Sequence, residues 1–244
     1  VYRWVAAFID PIRFFNALKG IFWYTRDYIV FSRQKADLPI SFADSYPVLH
    51  DKVDVAPFDS HYFYQNVWMF RRIIASPAPE HFDVGSGLDF VSLLSTIKKV
   101  NFIDIRPIIT DLPNFTCIKG SILELPFAEK SLDSLSCLHV VEHIGLGRYG
   151  DPVNPFGTIE ALKELQRVLS QTGTLFFATP VGKPRVCFNA HRVHDPHQII
   201  GYFDQLKLAE FAYIDDAGKL HENASPDDAR DQNYACGLFI FRRF

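Results

Sequence analysis

The chain has 244 residues, 48% of them hydrophobic, which suffices for one large domain or for one domain with an appendage. A formal net charge of -3 supplies no overall basic field, so no nucleic-acid partner is expected. No uninterrupted apolar run approaches the roughly 20 residues that span a bilayer, and nothing resembles a signal peptide with its cleavage site; a cytoplasmic location is the expectation.

The chain starts at Val1, so an initiator Met or a longer amino-terminal piece is expected to precede it. The opening stretch mixes Trp4, Phe8, Phe14, Phe15, Phe22, Trp23, Tyr24 and Tyr28 with Arg3, Arg13, Lys19, Arg26 and Arg33. Such a composition suits a helical cap on the main domain, a homodimer surface, or peripheral membrane contact through residues 1–35. Pro39, Pro47 and Pro57 then punctuate a segment without sustained periodicity, and residues 1–58 read as an N-terminal cap or interaction segment.

Residues 59–75 read as a helix capped by Asp59 or Ser60, with an apolar stripe through Phe63, Val67, Phe70 and Ile74; Pro77 and Pro79 end it. From residue 81 short apolar runs alternate with helical stretches, the pattern of a mostly parallel sheet wrapped by helices. Strands are expected at HFDVG, VNFID, FTCIK, LDSLSCLHV and GTLFFATP, then at LAEFAYID and ACGLFIFRR as an adjacent antiparallel pair. Helices fill 88–98 and 156–170, the latter closed by Gly173, and HDPHQIIGYF forms a short one. The fold class is therefore α/β, a seven-stranded, mostly parallel Rossmann-like sheet with helices on both faces, spanning 59–244. The widely spaced Cys117, Cys137, Cys187 and Cys236, three of them in or beside apolar strands, read as free thiols of a reducing compartment.

FDVGSG stands where a strand turns into a helix, and its glycines let the backbone pass close to a ligand. Asp83 precedes Gly85, and Asp104 ends the next strand, where a carboxylate can accept both hydroxyl protons of a ribose. Phe90 occupies the place of the third glycine that a dinucleotide pyrophosphate needs. With these features the chain resembles the class I S-adenosylmethionine (SAM)-dependent methyltransferases over about residues 60–244. HVVEHIGLGRYGDPVNPFG with PVGKPRVCFNAHRV looks more narrowly like a bacterial branch of methyltransferase-like proteins without an assigned function. The resemblance implies SAM as cofactor, with Asp83, Gly85, Ser86 and Gly87 around its methionine part, Asp104 on its ribose and Ile105 beside its adenine. Ser121 and Ile122 in KGSILELPF match the element that reaches the adenine edge, Ser121 standing where the family often has Asp. Asp89 stands where the family pattern often has its third glycine.

Residues just after the fourth and fifth strands face the reactive end of a ligand in such a sheet. His139 is expected to line the cofactor pocket, and His143 is the candidate general base, oriented by Glu142 or Asp151. Arg148, Tyr149, Asp151, Asn189, His191 and Arg192 form a polar set suited to gripping a hydroxylated or acidic acceptor, although each is equally suited to holding a loop; Gly145, Gly147 and Gly150 are suited to building a turn. The His139–His143 spacing would make a metal pair only on a helix, and no third ligand stands nearby, so no metal is expected. The functional expectation is SAM-dependent methyl transfer to an oxygen or nitrogen of a polar small molecule, such as a sugar or polysaccharide precursor. Its rival is a noncatalytic scaffold of the same fold, docking a membrane or a protein partner through the aromatic segment. A nucleic-acid methyltransferase would need a basic surface built from Lys183, Arg185 and Arg192, against the acidic balance of the chain.

Overall fold

The computed structural model describes residues 10–35 and 37–243, and the chain divides into two compact units, Val1–Phe58 and Asp59–Phe244. Trp4, Phe8 and Arg3 of the aromatic segment lie outside the described residues.

In the first unit, helix α1 spans Pro11–Ser32. Asp10 caps it, its carboxylate accepting from the N–H groups of Ile12 and Arg13, and Pro11 occupies a position where no N–H is needed. The chain returns across α1 at Gly20, where an added Cβ would lie 2.9 Å from the Leu49 Cβ; only glycine admits that crossing. Lys52 secures the return, 3.0 Å from the Asp27 carboxylate and 4.7 Å above the Trp23 ring. Among the described residues no helix is long and apolar enough to cross a membrane.

The second unit begins with α2, Ser60–Ala75, whose N-terminal N–H groups at His61 and Tyr62 donate to Asp59. The buried face of α2 is Gln65, Trp68, Met69 and Ile73, not the expected stripe: Phe63, Val67 and Ile74 are exposed. Both stripes have helical spacing, and the sheet takes the one carrying Trp68, Met69 and Ile73, which packs with Phe176, Ala178, Leu238 and Ile240 in one buried cluster. Strands β1 (Glu80–Val84), β2 (Lys99–Asp104), β3 (Phe115–Lys119), β4 (Leu132–Leu138) and β5 (Leu169–Val181) follow, with α3 (Leu88–Ser95) and α4 (Gly157–Val168) among them. After β5 come the hairpin β6 (Arg185–Cys187) and β7 (His191–Val193), helix α5 (Pro196–Tyr202), then β8 (Leu206–Ile214), β9 (Leu220–His221) and β10 (Ala235–Arg243).

Eight strands form the main sheet among the described residues, in the order β3-β2-β1-β4-β5-β10-β8-β9. The first five are parallel, and β10 lies antiparallel between β5 and β8. This corrects the expected seven strands: β9 has two residues, too few to show a period, and the β6–β7 hairpin is a separate ribbon inside a segment read as loop. Gly173 does not close a helix. α4 stops at Val168 and β5 starts at once; at Gly173, inside the strand, a Cβ would lie 2.7 Å from the Leu132 carbonyl. All four cysteines are free, and each lies in a strand.

Period-two alternation gives the sheet two apolar faces. Leu175, Phe177, Phe239 and Phe241 join Leu162 and Leu165 of α4 and Ile199 of α5 on one face. Phe176, Ala178, Leu238 and Ile240 join Trp68 and Met69 of α2 and Phe90 and Leu94 of α3 on the other. Phe177 is fully buried, with ring centroids of Phe239, Phe203 and Phe241 at 5.9, 6.2 and 6.4 Å. Phe177→Ala is expected to cost about 3–5 kcal/mol, through lost transfer energy and the cavity left among those rings. Urea denaturation at unchanged slope measures it.

Candidate functional site

The strand order reverses between β1 and β4, and the carboxyl ends of these two strands open a crevice. Gly85 leaves β1 with φ +69°, and a Cβ there would lie 3.3 Å from both Val140 methyls, so conformation and space both demand glycine. Ser86 ties the turn down: its N–H donates to Asp83 Oδ1 at 3.0 Å, and its Oγ accepts from the Leu138 N–H at 3.0 Å. Gly87 precedes α3 and has nothing within 4 Å of a built Cβ, leaving open space above the helix start.

Asp83 itself is fully buried and lines neither cavity of the crevice. It sits under the loop in a polar line running through Ser134, His81 and Ser136. His81 Nδ1 and Nε2 lie 2.7 and 2.8 Å from the two serine hydroxyls, and Ser136 Oγ donates to Asp83. Burial, with Lys98 adding to it, lowers the His81 pKa to about 3. Burial raises Asp83 to about 6, against the hydrogen bonds from Ser136 and Ser86.

Two cavities meet above this floor. The narrow one, about 110 Å³, is lined by Gly85, Asp104, Ile105, Arg106, Ile122, His139, His143 and Tyr149. The larger, about 290 Å³, takes in Asp59, His61, Tyr62, Gly85, Ser86, Gly87, His139, Glu142, His143, Arg148, Tyr149, His191 and Tyr234. Gly85, His139, His143 and Tyr149 line both. Asp104 accepts the Arg106 N–H through Oδ1 at 2.7 Å, and its Oδ2 lies 4.0 Å from the Cβ position of Gly85. Ser121 lines neither cavity; its Oγ accepts from the Leu123 N–H and shapes the turn that delivers Ile122. Asp89 is exposed on the first turn of α3 and faces a different groove, beside Phe70 and Leu93.

His139 follows β4 with φ +57°, a conformation uncommon for a side chain other than glycine, and two buried contacts hold it there. Its Nδ1 lies 2.8 Å from Glu142 Oε1, and its Nε2 lies 3.2 Å from Cys236 Sγ on β10. Burial works against protonation of this imidazole, but Cys236 and Glu142 outweigh it and raise the His139 pKa well above its ordinary value. Burial likewise opposes ionisation of Glu142, and His139 reverses the sign, holding the carboxyl below its usual range. Glu142 therefore orients His139, not His143: the His143 Nε2 is 3.8 Å from the carboxylate. His143 is fixed instead by Ala190, whose carbonyl lies 2.5 Å from Nδ1. Arg148 approaches the same Nδ1 only at 3.4 Å and donates to the Ala190 carbonyl at 3.2 Å, so we assign the Nδ1 proton to the Ala190 bond. Nε2 is left as the proton acceptor.

Several expected site residues serve the loops instead. Asp151 lines neither cavity; it accepts from the N–H groups of Gly145 at 2.6 Å and Tyr149 at 3.3 Å, folding the glycine-rich loop. Gly145, Gly147 and Gly150 all have positive φ, and a Cβ at Gly145 would lie 2.1 Å from the Asn154 carbonyl oxygen. Asn189 is an exposed residue at the β6–β7 turn with φ +65°, lining neither cavity. Arg192 is buried, and its guanidinium donates to the Ile144 carbonyl at 2.5 Å, the Asn154 carbonyl at 3.1 Å and Thr158 Oγ1 at 3.3 Å. It therefore adds nothing to a basic surface. His191 does line the larger cavity, its ring 4.8 Å from that of Tyr234, and burial lowers its pKa. His61, Tyr62, Tyr234 and Cys236 were not anticipated: they come from the start of α2 and from the approach to and body of β10, far in sequence from the glycine loop.

A family described as Caenorhabditis protein of unknown function, DUF268, matches residues 121–215, which is less than half of the chain. Among curated proteins no sequence matches. The structure is similar to that of N-methyltransferase NodS from Bradyrhizobium japonicum in complex with S-adenosyl-L-homocysteine, with TM-score 0.51 and 16% identity over 82% of this chain and 93% of that one. It is similar to geranyl diphosphate C-methyltransferase from Streptomyces coelicolor, with TM-score 0.54 and 11% identity over 75% and 80% of the two chains. A third similar structure is the [4+2]-cyclase SpnF, with TM-score 0.54 and 11% identity over 79% and 84%. The second unit thus has the Rossmann-like methyltransferase fold, a fold that carries more than one chemistry.

The polar floor makes a stability prediction. Asp83 binds its proton more tightly in the folded state, so its contribution is present below the ordinary 3.8 and is lost as pH rises through about 6. His81 has the opposite sign: its contribution is present above the ordinary 6.5 and is lost as pH falls toward about 3. The two slopes oppose each other where the windows overlap. Asp83→Asn keeps an acceptor for the Ser86 N–H and removes the falling slope. The variant is expected to gain on the order of 3 kcal/mol over the parent as pH rises from 4 to above 6. Parallel stability curves for the two proteins, measured by urea denaturation across this range, would disprove the assignment.

Proposed function

We propose that the chain transfers the methyl group of SAM to an oxygen or nitrogen of a polar small molecule, a class that includes sugars and polysaccharide precursors. The observation that carries this reading is the pair of cavities joined at Gly85, His139, His143 and Tyr149. The narrow one has what a nucleoside requires: an Asp104 carboxylate for the ribose hydroxyls, apolar Ile105 and Ile122 for a base, and a glycine turn that admits the backbone closely. The larger one is rimmed by hydroxyl, imidazole and guanidinium groups suited to a hydrophilic acceptor.

SAM, when bound, supplies a methyl group on a sulfonium that is already strongly electrophilic. The work of this chain is to align the acceptor and take its proton. In this reading Asp104, Ile105, Ile122 and the Gly85–Gly87 turn hold the cofactor; Asp83 acts beneath them through Ser86. Nε2 of His143 receives the acceptor proton, with the ring aimed by the Ala190 carbonyl, while Arg148, Tyr149, Tyr62 and His191 position the acceptor. A noncatalytic scaffold is the second reading. It draws on α1, where Phe14, Phe15, Phe22 and Phe31 are exposed, a surface suited to a lipid surface or a partner.

Calorimetric titration is expected to show micromolar binding of both SAM and S-adenosylhomocysteine. Asp104→Ala should weaken SAM by about 1.5–3 kcal/mol, the cost of losing charge-assisted hydrogen bonds; unchanged affinity in the folded variant excludes the ribose role. His143→Ala should retain SAM affinity and lower turnover by about 100- to 10,000-fold in an acceptor screen that follows S-adenosylhomocysteine release. Absence of cofactor binding, together with liposome binding by the intact chain, would replace this reading with the scaffold.

A further inference from the structure

We infer that His61, His139 and Cys236 form a binding site for a borderline-soft divalent transition metal, of which zinc is the type. One ring nitrogen of each histidine and the Cys236 sulfur lie within 4.8 Å of one another, and His139 Nε2 is only 3.2 Å from Cys236 Sγ. Two imidazoles and a thiolate are the donors that zinc prefers, and three protein ligands plus an open position are the usual set of a catalytic zinc site. Metal–donor lengths of about 2.0–2.3 Å are reached when the His61 ring closes on the other two by roughly 1 Å. The adjustment falls to His61, on the first turn of α2, because Cys236 lies within β10 and His139 is held by Glu142.

The Glu142 carboxylate, 1% exposed at its side chain, takes the Nδ1 side of His139 and turns Nε2 toward Cys236. A carboxylate behind a ligating histidine is what fixes the tautomer and raises ligand basicity in metal sites. Tyr234 stacks on His61 at 5.4 Å and Tyr62 packs on His139 at 5.3 Å, both on the cavity side. An alternative use of the same atoms, a thiol nucleophile activated by His139, has no route to substrate: Cys236 is fully buried, does not line the cavity, and leaves His61 unexplained. His61 and His139 do line the cavity, so the fourth coordination position opens into the space where a hydroxyl or water can enter.

Metal binding is tested without SAM, so its outcome is separate from that of the methyl-transfer reading. The metal-stripped full chain is titrated with Co(II), and zinc affinity is measured by competition with a chromophoric chelator. One equivalent of cobalt is expected to give a thiolate-to-metal charge-transfer band and the intense visible absorption of a tetrahedral site. Cys236→Ser should lose the charge-transfer band. His61→Ala, with its fold checked by circular dichroism, should lower zinc affinity at least about 10- to 100-fold, since losing only the group that orients a ligand already costs that much. His143→Ala, which changes a cavity histidine outside the cluster, should leave the spectrum unchanged. The site is refuted by a parent protein without a thiolate band, by unchanged affinity in His61→Ala, or by a spectrum abolished in His143→Ala.

Discussion

Ser86 bridges the ends of β1 and β4, donating its N–H to Asp83 and accepting the Leu138 N–H, and the geometry of the crevice depends on that bridge. It satisfies a backbone donor at the end of a parallel strand that would otherwise be buried without a partner. It also holds the Gly85 turn at the height where Val140 and Asp104 approach it from two sides. The acid before the glycines is therefore a support. Its buried carboxyl is stabilised by serines and by the Ser86 amide, and the surface offered to a ligand is backbone and glycine.

A second layer of support lies at the end of β4. Glu142, buried and with histidine as its only basic partner among the described residues, constrains His139 in a left-handed conformation, and β10 meets the ring from the opposite side with Cys236. His143, four residues on, is governed by a different element, the carbonyl of Ala190 in the β6–β7 turn. Two histidines that look like a pair in the sequence thus have separate tasks. The structural roles of Asp151 and Arg192 follow the same logic: a loop rich in positive-φ glycines has many unpaired backbone groups, and nearby polar side chains satisfy them.

The likeness to NodS, to the geranyl diphosphate enzyme and to SpnF rests on the sheet order and its helices, at identities of 16% or less. Residues 121–215, the part matched by the DUF268 family, contain the Glu142–His143 loop and the β6–β7 hairpin but not α2, Tyr234 or Cys236.

The α/β class, the five parallel strands, the antiparallel closing pair and the turn at Gly85 were legible in the sequence, because period-two apolar runs and glycine spacing are local signals. The capping of α2 by Asp59 was legible for the same reason. The buried face of α2 was not: two stripes of equal periodicity competed, and only the shape of the sheet beneath chose Trp68 and Met69. Nor was β9, which is too short to alternate. At the site, His139 and His143 were found from their place after a strand, but their partners were not, since Cys236 is 97 residues from His139 and His61 lies 78 residues before it. Sequence spacing reports on neighbours along a helix, strand or turn; which residues of α2 and β10 reach the end of β4 is decided by strand order and packing, and those exist only once the chain has folded.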